Sequence, residues 1–470
     1  MPVDEERKEN RETENRESLE NRTRFADGWR EAVNTPSLPE VYRSIAVPKN
    51  ANFFRRLLAF IGPGYLIAVG YMDPGNWATD ISGGAVYNYR LLSVVLLSSL
   101  MAIFLQSLAA KLGIVTGRDL AQACHDAYGK KTSIFLWLSA EIAIVACDIA
   151  EVIGAAIALN LLFRVPMVLG VILTALDVLL VLALQHKGFR WIETLVITLI
   201  ATMMVIFLVE IGIAKPDWWG HSGVASGFLI HSELVRDHAM LYIGLGILGA
   251  TVMPHNLYLH SSIIQTRRYG STLRDLRDAI RLAYIDSGLA LTLAFFVNAA
   301  ILILAAAAFY RSGHHEVGDI QGAYKLLTPL LGASLATPLF AIALLASGQN
   351  STLTGTMAGQ VVLEGFTHFK MAPWARRMIS RCLAIAPAIV AVGFYGEKGT
   401  GQLLIGSQVV LSLQLSFAVV PLIQFTSSRR KMGTFVNGWL TKTIGWLMAA
   451  VIAILNAYLV YTTIFPAKDH

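Results

Sequence analysis

An all-α protein that crosses a membrane many times is the fold class this sequence predicts, and three observations predict it. The 470 residues are 55% hydrophobic and only 15% charged, with a mean hydropathy of +0.55. Apolar runs of about twenty residues, the length a helix needs to cross a hydrocarbon core, recur along the chain. The few charges inside those runs are gathered at particular places, as the cost of charge at membrane depth requires.

Segmentation by hydropathy gives eleven candidate spans: Leu57 to Tyr87, Leu91 to Val115, Ser133 to Phe163, Val165 to Leu184, Trp191 to Ala214, Met240 to Gln265, Leu282 to Tyr310, Pro338 to Leu363, Met378 to Phe394, Leu403 to Phe425 and Thr443 to Phe465. Residues 1–50 are predicted as a largely disordered cytoplasmic tail. Its first 32 residues mix Glu, Arg and Asn with too few large apolar side chains to build a core. No basic stretch, short apolar run and cleavage site precede the first span, so it is not read as a removed signal peptide. With the tail inside, the alternate loops carry 17 Lys and Arg and the opposite set about seven. That asymmetry predicts a cytoplasmic N-terminus and an outside C-terminus. It also accounts for the net charge of +6, which is spread by topology and does not imply nucleic-acid binding. Cys124, Cys147 and Cys382 show no metal-binding or disulfide spacing.

The first span is some thirty residues long, more than a crossing needs. The excess fits two half-helices joined by an unwound segment at Asp73-Pro74-Gly75-Asn76. The sixth span repeats the pattern at Met253-Pro254-His255-Asn256, after Gly244, Gly246, Gly249 and Ala250. In each, a proline removes a backbone donor and an Asn follows two residues later. Spans 1 to 5 (about 55–215) and 6 to 10 (about 240–425) then form two halves of odd span number, so the second is inverted relative to the first. Span 11 (about 443–465) is an addition. The eighth span is small and polar from Ala346 to Gly355, which predicts close helix packing through interhelical hydrogen bonds. A short surface helix is expected within Asp319 to Leu331.

The breaks carry the chemistry. Unwinding frees backbone carbonyls and points two helix ends at one another, and both hold ions. Asp73 adds a charge, Asn76 an amide oxygen, the carbonyl near Ala250 a further oxygen and Met253 a thioether. Mg²⁺ and Ca²⁺ prefer all-oxygen cages; sulfur favours Mn²⁺, Fe²⁺, Co²⁺ or Cd²⁺. In a soluble protein Asp-Pro-Gly-Asn is an ordinary turn, and Met253 alone would be core filler. The long apolar flanks and the matching second break decide against those readings here.

The third span places Glu141, Asp148 and Glu151 about 20° and 60° apart around the helix, on one stripe. They face the bundle interior, either as an ion or proton path or as a salt-bridge network with Arg376, Arg377 or Arg381 of span 9. His255 and His260 lie about 140° apart and make no zinc face, but either imidazole is able to carry a proton. Asp177, Glu193 and Asp286 lack a matching partner motif and are read as structural.

Three strings carry a resemblance: Gly62-Pro63-Gly64 followed by Asp73-Pro74-Gly75-Asn76, the run Ala250 to His260 (ATVMPHNLYLH), and Thr352 to Gln360 (TLTGTMAGQ). Over residues 55 to 465 the chain resembles the Nramp proton-coupled divalent-metal transporters, especially their bacterial manganese importers. The resemblance implies a LeuT-like fold of five plus five helices with an eleventh, in a bacterial inner membrane. It implies import of Mn²⁺ first, also Fe²⁺, Co²⁺ and Cd²⁺, together with protons by alternating access. By matching position Asp73, Asn76, Met253 and the Ala250 carbonyl resemble the metal site, with Gln408 a further ligand. Asp73, Glu151 and His255 resemble the proton-handling residues, with Asp148, Arg377 and Arg381 continuing the route; Glu141 and His260 join this set on the residue reading. No resident cofactor, catalytic residue, nucleic acid or obligate protein partner is implied. Two departures are noted: Asn350 stands where Ser is expected, and the charged tail is long. Against a sodium-coupled carrier of an organic anion stands the charge of Asp73. Against an intramembrane metallohydrolase stand the lack of an HExxH pair and the poor fit of Met to hydrolytic zinc.

Overall fold

The first span is built in three pieces rather than two. In the structure, a computed structural model that describes residues 29–30, 36–48, 51–176, 189–220, 222–314, 320–324 and 336–465, these are α1 (Phe53–Phe60), α2 (Pro63–Gly70) and α3 (Pro74–Tyr87). The extra break, a bend of 45° between α1 and α2, sits at Gly62, whose φ of 145° excludes a side chain, with Pro63 as the first helical residue. Asp286 closes it, its carboxylate accepting from the Gly62 amide at 3.2 Å and the Gly64 amide at 2.7 Å. That carboxylate occupies the place of an N-cap, supplied from another span.

The break expected at Asp73 to Asn76 lies at Tyr71 to Asp73, starting two residues earlier. Asp73 is the N-cap of α3 and Pro74 its first residue, so the Asp-Pro-Gly-Asn string marks where the helix resumes. In the sixth span the interruption is a single residue. Met253, at φ 27° and ψ 101°, separates α9 (His238–Val252) from α10 (Pro254–Ile263).

The other spans follow their apolar runs. They are α4 (Leu92–Thr116), ended by Gly117 at φ 66°; α6 (Lys130–Phe163); α8 (Phe189–Ala214); α11 (Leu273–Ala305); α12 (Ala336–Thr367); α13 (Pro373–Val390); α14 (Gly396–Thr426); and α15 (Trp439–Ile464). Between α4 and α6 lies the short α5 (Leu120–Ala127), started by a reciprocal Asp119–Gln122 capping box. The fourth span is described as α7 (Met167–Leu173) and a 3₁₀ turn to Leu176; its remainder, with Asp177, lies outside the described residues. So does most of the expected surface helix, which is helical over 320–324.

Packing places α6 against α12, α13 and α14, α11 against α2, α3 and α4, and α9 against α3, α4 and α14. Helices α8, α13 and α15 turn large apolar side chains outward, among them Leu208, Leu383 and Ile454, as lipid-facing surfaces do. Part of the tail is held against the body: Ile45 and Ala46 (β1) pair in parallel with Arg267 and Arg268 (β2), and the Ser37 hydroxyl donates to Asp119 at 2.5 Å.

Candidate functional site

Two carbonyls freed at the first break are answered by side chains. The Met72 carbonyl accepts from the Trp77 indole at 3.2 Å and from the Ser347 hydroxyl of α12. The Tyr71 carbonyl accepts from the Asn298 amide of α11 at 2.8 Å. Trp77 is itself fixed between Phe207 and Phe340, each 5.1 Å away by ring centroid. Non-helical backbone at membrane depth is thus satisfied by Trp77 of the same span and by side chains of two others, α11 and α12.

The two breaks meet through Asn76. Its amide nitrogen donates to Asp73 Oδ1 at 2.9 Å and to the Ala250 carbonyl at 3.1 Å, while the Asp73 carboxylate also accepts from the Asn76 backbone amide at 2.8 Å. Asn298 approaches the Asn76 amide oxygen at 3.4 Å. Gly70 gives room for the second break, because a Cβ there would meet Asn256 and the Met253 sulfur. Gly75 does the same for Gln408, whose Oε1 is buried with no hydrogen-bond partner among the described residues. All five predicted metal-site residues are buried. The donors are one carboxylate, one carbonyl, two amide oxygens and one thioether, a set that fits a borderline divalent ion better than a purely hard one.

A line of acids leads away from this point. Cys147 Sγ lies 3.9 Å from Asp73 Oδ2 and 3.9 Å from Glu151 Oε1. It also belongs to the small buried cluster of Met253, Ala146 and Leu411. Glu151 accepts from Ser351 at 2.7 Å and pairs with Arg377 at 2.8 Å and Arg381 at 3.3 Å. Arg377 also holds Asp148 at 2.5 Å, and Arg376 holds Glu141 at 2.5 Å. The carboxylate stripe of α6 and the arginines of α13 therefore form one ladder, which is the salt-bridge arrangement; a path along the same groups is compatible with it.

A model of the family described as natural resistance-associated macrophage protein-like matches residues 64–462. The chain belongs to the Nramp family. It is 60% identical over 441 residues to the divalent metal cation transporter MntH of Listeria welshimeri, covering 94% of this chain and 98% of that one. It is 57% identical over 432 residues to the MntH of a Nostoc species, covering 92% and 97%. A crystal structure of the Eremococcus coleocola manganese transporter, in complex with an aromatic bis-isothiourea compound, superimposes with a TM-score of 0.83 at 41% identity over 92% of this chain and 93% of that one. Mhp1 in a closed conformation, at 13% identity and TM-score 0.58 over 86% and 94%, shares the fold alone. The LeuT-like architecture that the resemblance implied is the fold of this Nramp chain.

Not every predicted residue of this Nramp chain joins the ladder. His255 is buried, and its Nδ1 has no partner among the described residues. His260 is held at both nitrogens, by Gln106 at 3.0 Å and Ser287 at 3.3 Å, in a network that continues to Tyr71. Glu193 pairs with Arg267 at 2.7 Å and Arg190 at 2.8 Å, and Arg267 donates to the carbonyls of Phe60 and Ile61. Glu193 and Asp286 are thus structural, as read, and their structural task is the bend at Gly62. The side chain of Asn350 lies outside the described residues.

Sequence reasoning missed three participants. Cys147 bridges Asp73 and Glu151, and the only signal for it was its place between Glu141 and Glu151 on the acidic helix. Asn298 anchors the first break from a span without a motif. Asp80, buried in α3, has one carboxylate oxygen without a partner among the described residues; its distance of two helical turns from Asp73 was legible in the sequence.

Proposed function

We propose that the chain is a secondary transporter that imports divalent transition-metal ions, Mn²⁺ first, together with protons. The observation that carries this reading is the Asn76 side chain, which joins Asp73 of one break to the Ala250 carbonyl of the other. Oxygen donors of both broken spans therefore converge on one point, and Met253 packs in one small cluster with Cys147, whose sulfur lies 3.9 Å from Asp73. The Listeria and Nostoc relatives, divalent metal cation transporters, support the cation class, and the Eremococcus relative, a manganese transporter, supports manganese.

In this reading the ion takes the place between the Asp73 carboxylate and the Ala250 carbonyl, and the Asn76 amide turns to offer its oxygen. Gln408 completes the shell and Met253 supplies the selectivity for softer ions. Protons pass from Asp73 through the acids of α6, with Arg377 and Arg381 fixing the carboxylates. The broken spans rock against the α6, α12 and α13 frame to expose the site to each side in turn. The loop charges orient the N-terminus to the cytoplasm and the C-terminus outside, in a bacterial inner membrane.

The test is Mn²⁺ uptake into proteoliposomes with simultaneous recording of internal pH. Wild type takes up Mn²⁺ with internal acidification, without sodium, and Asp73→Ala abolishes the uptake. Full Mn²⁺ transport by Asp73→Ala refutes the site, and uptake with no pH change refutes the coupling.

A further inference from the structure

A second cluster of metal-ligating side chains lies away from the helix breaks, where α5 meets the end of α12. His125 and Asp126 close α5, and His368 follows α12. Their ligand atoms, two imidazole nitrogens and a carboxylate oxygen, all lie within 4.8 Å of one another. We propose that His125, Asp126 and His368 form a second divalent-metal site, for a borderline ion of the Zn²⁺ or Co²⁺ class, on the face that carries the basic loops.

Three features point to a ligand. His125 Nδ1 sits 2.7 Å from the Phe366 carbonyl. A carbonyl only accepts, so Nδ1 carries the hydrogen and the lone pair of the neutral ring is on Nε2, the outer-shell arrangement by which proteins fix a metal-binding imidazole. Asp126 is buried, and Arg118 Nε at 2.7 Å from Oδ2 sets the carboxylate plane. His368 is held at φ 56°, an uncommon conformation for a side-chain-bearing residue, with its amide donating to the Glu364 carbonyl at 2.9 Å. That conformation turns its ring to 4.2 Å from the His125 ring, centroid to centroid, at 71°. Two imidazoles and one carboxylate, with His368 at the exposed edge of the group, make a donor set that suits a borderline divalent ion.

The charges nearby set the affinity. The Arg118 guanidinium on the carboxylate opposes a cation, so the site binds more weakly than a Cys- or carboxylate-rich structural site. The Arg30 amide donates to the Asp126 carbonyl at 2.8 Å, so an ion here joins α5, the end of α12 and the tail at one point.

The experiment uses the full chain, purified in detergent and stripped of metal, with Co²⁺ as probe, counted by equilibrium dialysis and read by its visible absorption. In the Asp73→Ala background, which removes the proposed transport site, about one Co²⁺ per chain remains. Adding His368→Gly, a change that the positive φ accommodates, weakens that binding at least about tenfold. Adding His125→Asn as well removes the nitrogen-ligand absorption. Each histidine variant is compared with its own parent. The count therefore reads the second site even if Asp73→Ala still transports and the transport reading fails. No Co²⁺ retained by Asp73→Ala, or retention unchanged by the histidine substitutions, overturns the proposal. Thermal melts of each variant without metal show that the chain is folded.

Discussion

Arg377→Gln separates the two carboxylates that one guanidinium holds. Arg377 is buried and pairs with Asp148 Oδ1 at 2.5 Å and Glu151 Oε2 at 2.8 Å. Removing one partner of a buried ion pair costs about 3–5 kcal/mol. The loss falls unevenly. Glu151 keeps Arg381 at 3.3 Å and the hydroxyls of Ser351 at 2.7 Å and Thr352 at 3.4 Å. Asp148 keeps less: Ser380 faces its carboxylate, its Oδ2 has no hydrogen-bond partner among the described residues, and the Arg381 bond at 3.4 Å goes to its backbone carbonyl. Most of the cost is therefore an uncompensated Asp148. Adding Asp148→Asn to Arg377→Gln should recover about 2 kcal/mol, the worth of one charged hydrogen bond, and adding Glu151→Gln less than half of that. Reversible unfolding in mixed micelles, run as two double-mutant cycles, reads both couplings. Couplings within about 0.5 kcal/mol of zero, the range expected of independent sites, or a larger rescue through Glu151, refute this account of the ladder.

Met253→Ala should weaken rejection of Ca²⁺ more than it slows Mn²⁺ uptake, because the thioether is the donor a hard ion does not use; competition assays in proteoliposomes check it. Asp286→Ala leaves the Gly62 and Gly64 amides without their acceptor. It should cost about 1–3 kcal/mol, seen as a lower unfolding midpoint that Asp286→Asn partly restores. Asp119, in the loop between α4 and α6, is fully buried, and that burial pushes its carboxyl up to about 7. The folded protein then holds a proton that the unfolded chain gives up near pH 4, so this group's contribution to stability falls as pH rises from about 4 to about 7. Asp119→Asn should flatten the stability profile over that window, and an unchanged slope would refute the assignment.

How far the fold was legible depended on which physical signal marked each element. Apolar length alone located the spans, because a bilayer demands it. The breaks were visible for the same reason, since Asp, Pro and Asn at membrane depth have to be answered. Their positions were less legible. Asp73 and Pro74 are helix-start signals, so the unwound residues are Tyr71 and Met72 just ahead of them, with Asp73 as the cap. Gly62-Pro63 belongs to a recognisable motif, but the bend it makes is not legible in the sequence, because the residue that stabilises it, Asp286, comes from a span 224 positions away. The placement of 36–48 also depends on distant partners, Arg267, Arg268 and Asp119, which no local pattern in the tail announces.

The site was legible to the extent that its residues are anomalous for their surroundings. Asp73, Glu151 and Arg377 are charges in apolar runs, and such charges need partners. Cys147, Asn298 and Ser347 are ordinary residues for a membrane helix, and only the fold shows that each one completes a contact of the breaks. The case of Asn76 shows why type and spacing are insufficient for a ligand. Its side chain does reach both breaks, but through its nitrogen, which donates to Asp73 Oδ1 and the Ala250 carbonyl. To serve as a ligand the amide has to rotate by about 180°, giving up both of those hydrogen bonds, each worth about 0.5–1.5 kcal/mol net. A divalent ion between the same two oxygens replaces both bonds, so the rotation and the ion's arrival are coupled. Asn76→Asp tests that coupling. Two acceptor oxygens need no flip, so the variant should bind Mn²⁺ at least as tightly as wild type yet release it more slowly. Faster release would show that the amide's rotation has no part in holding the ion.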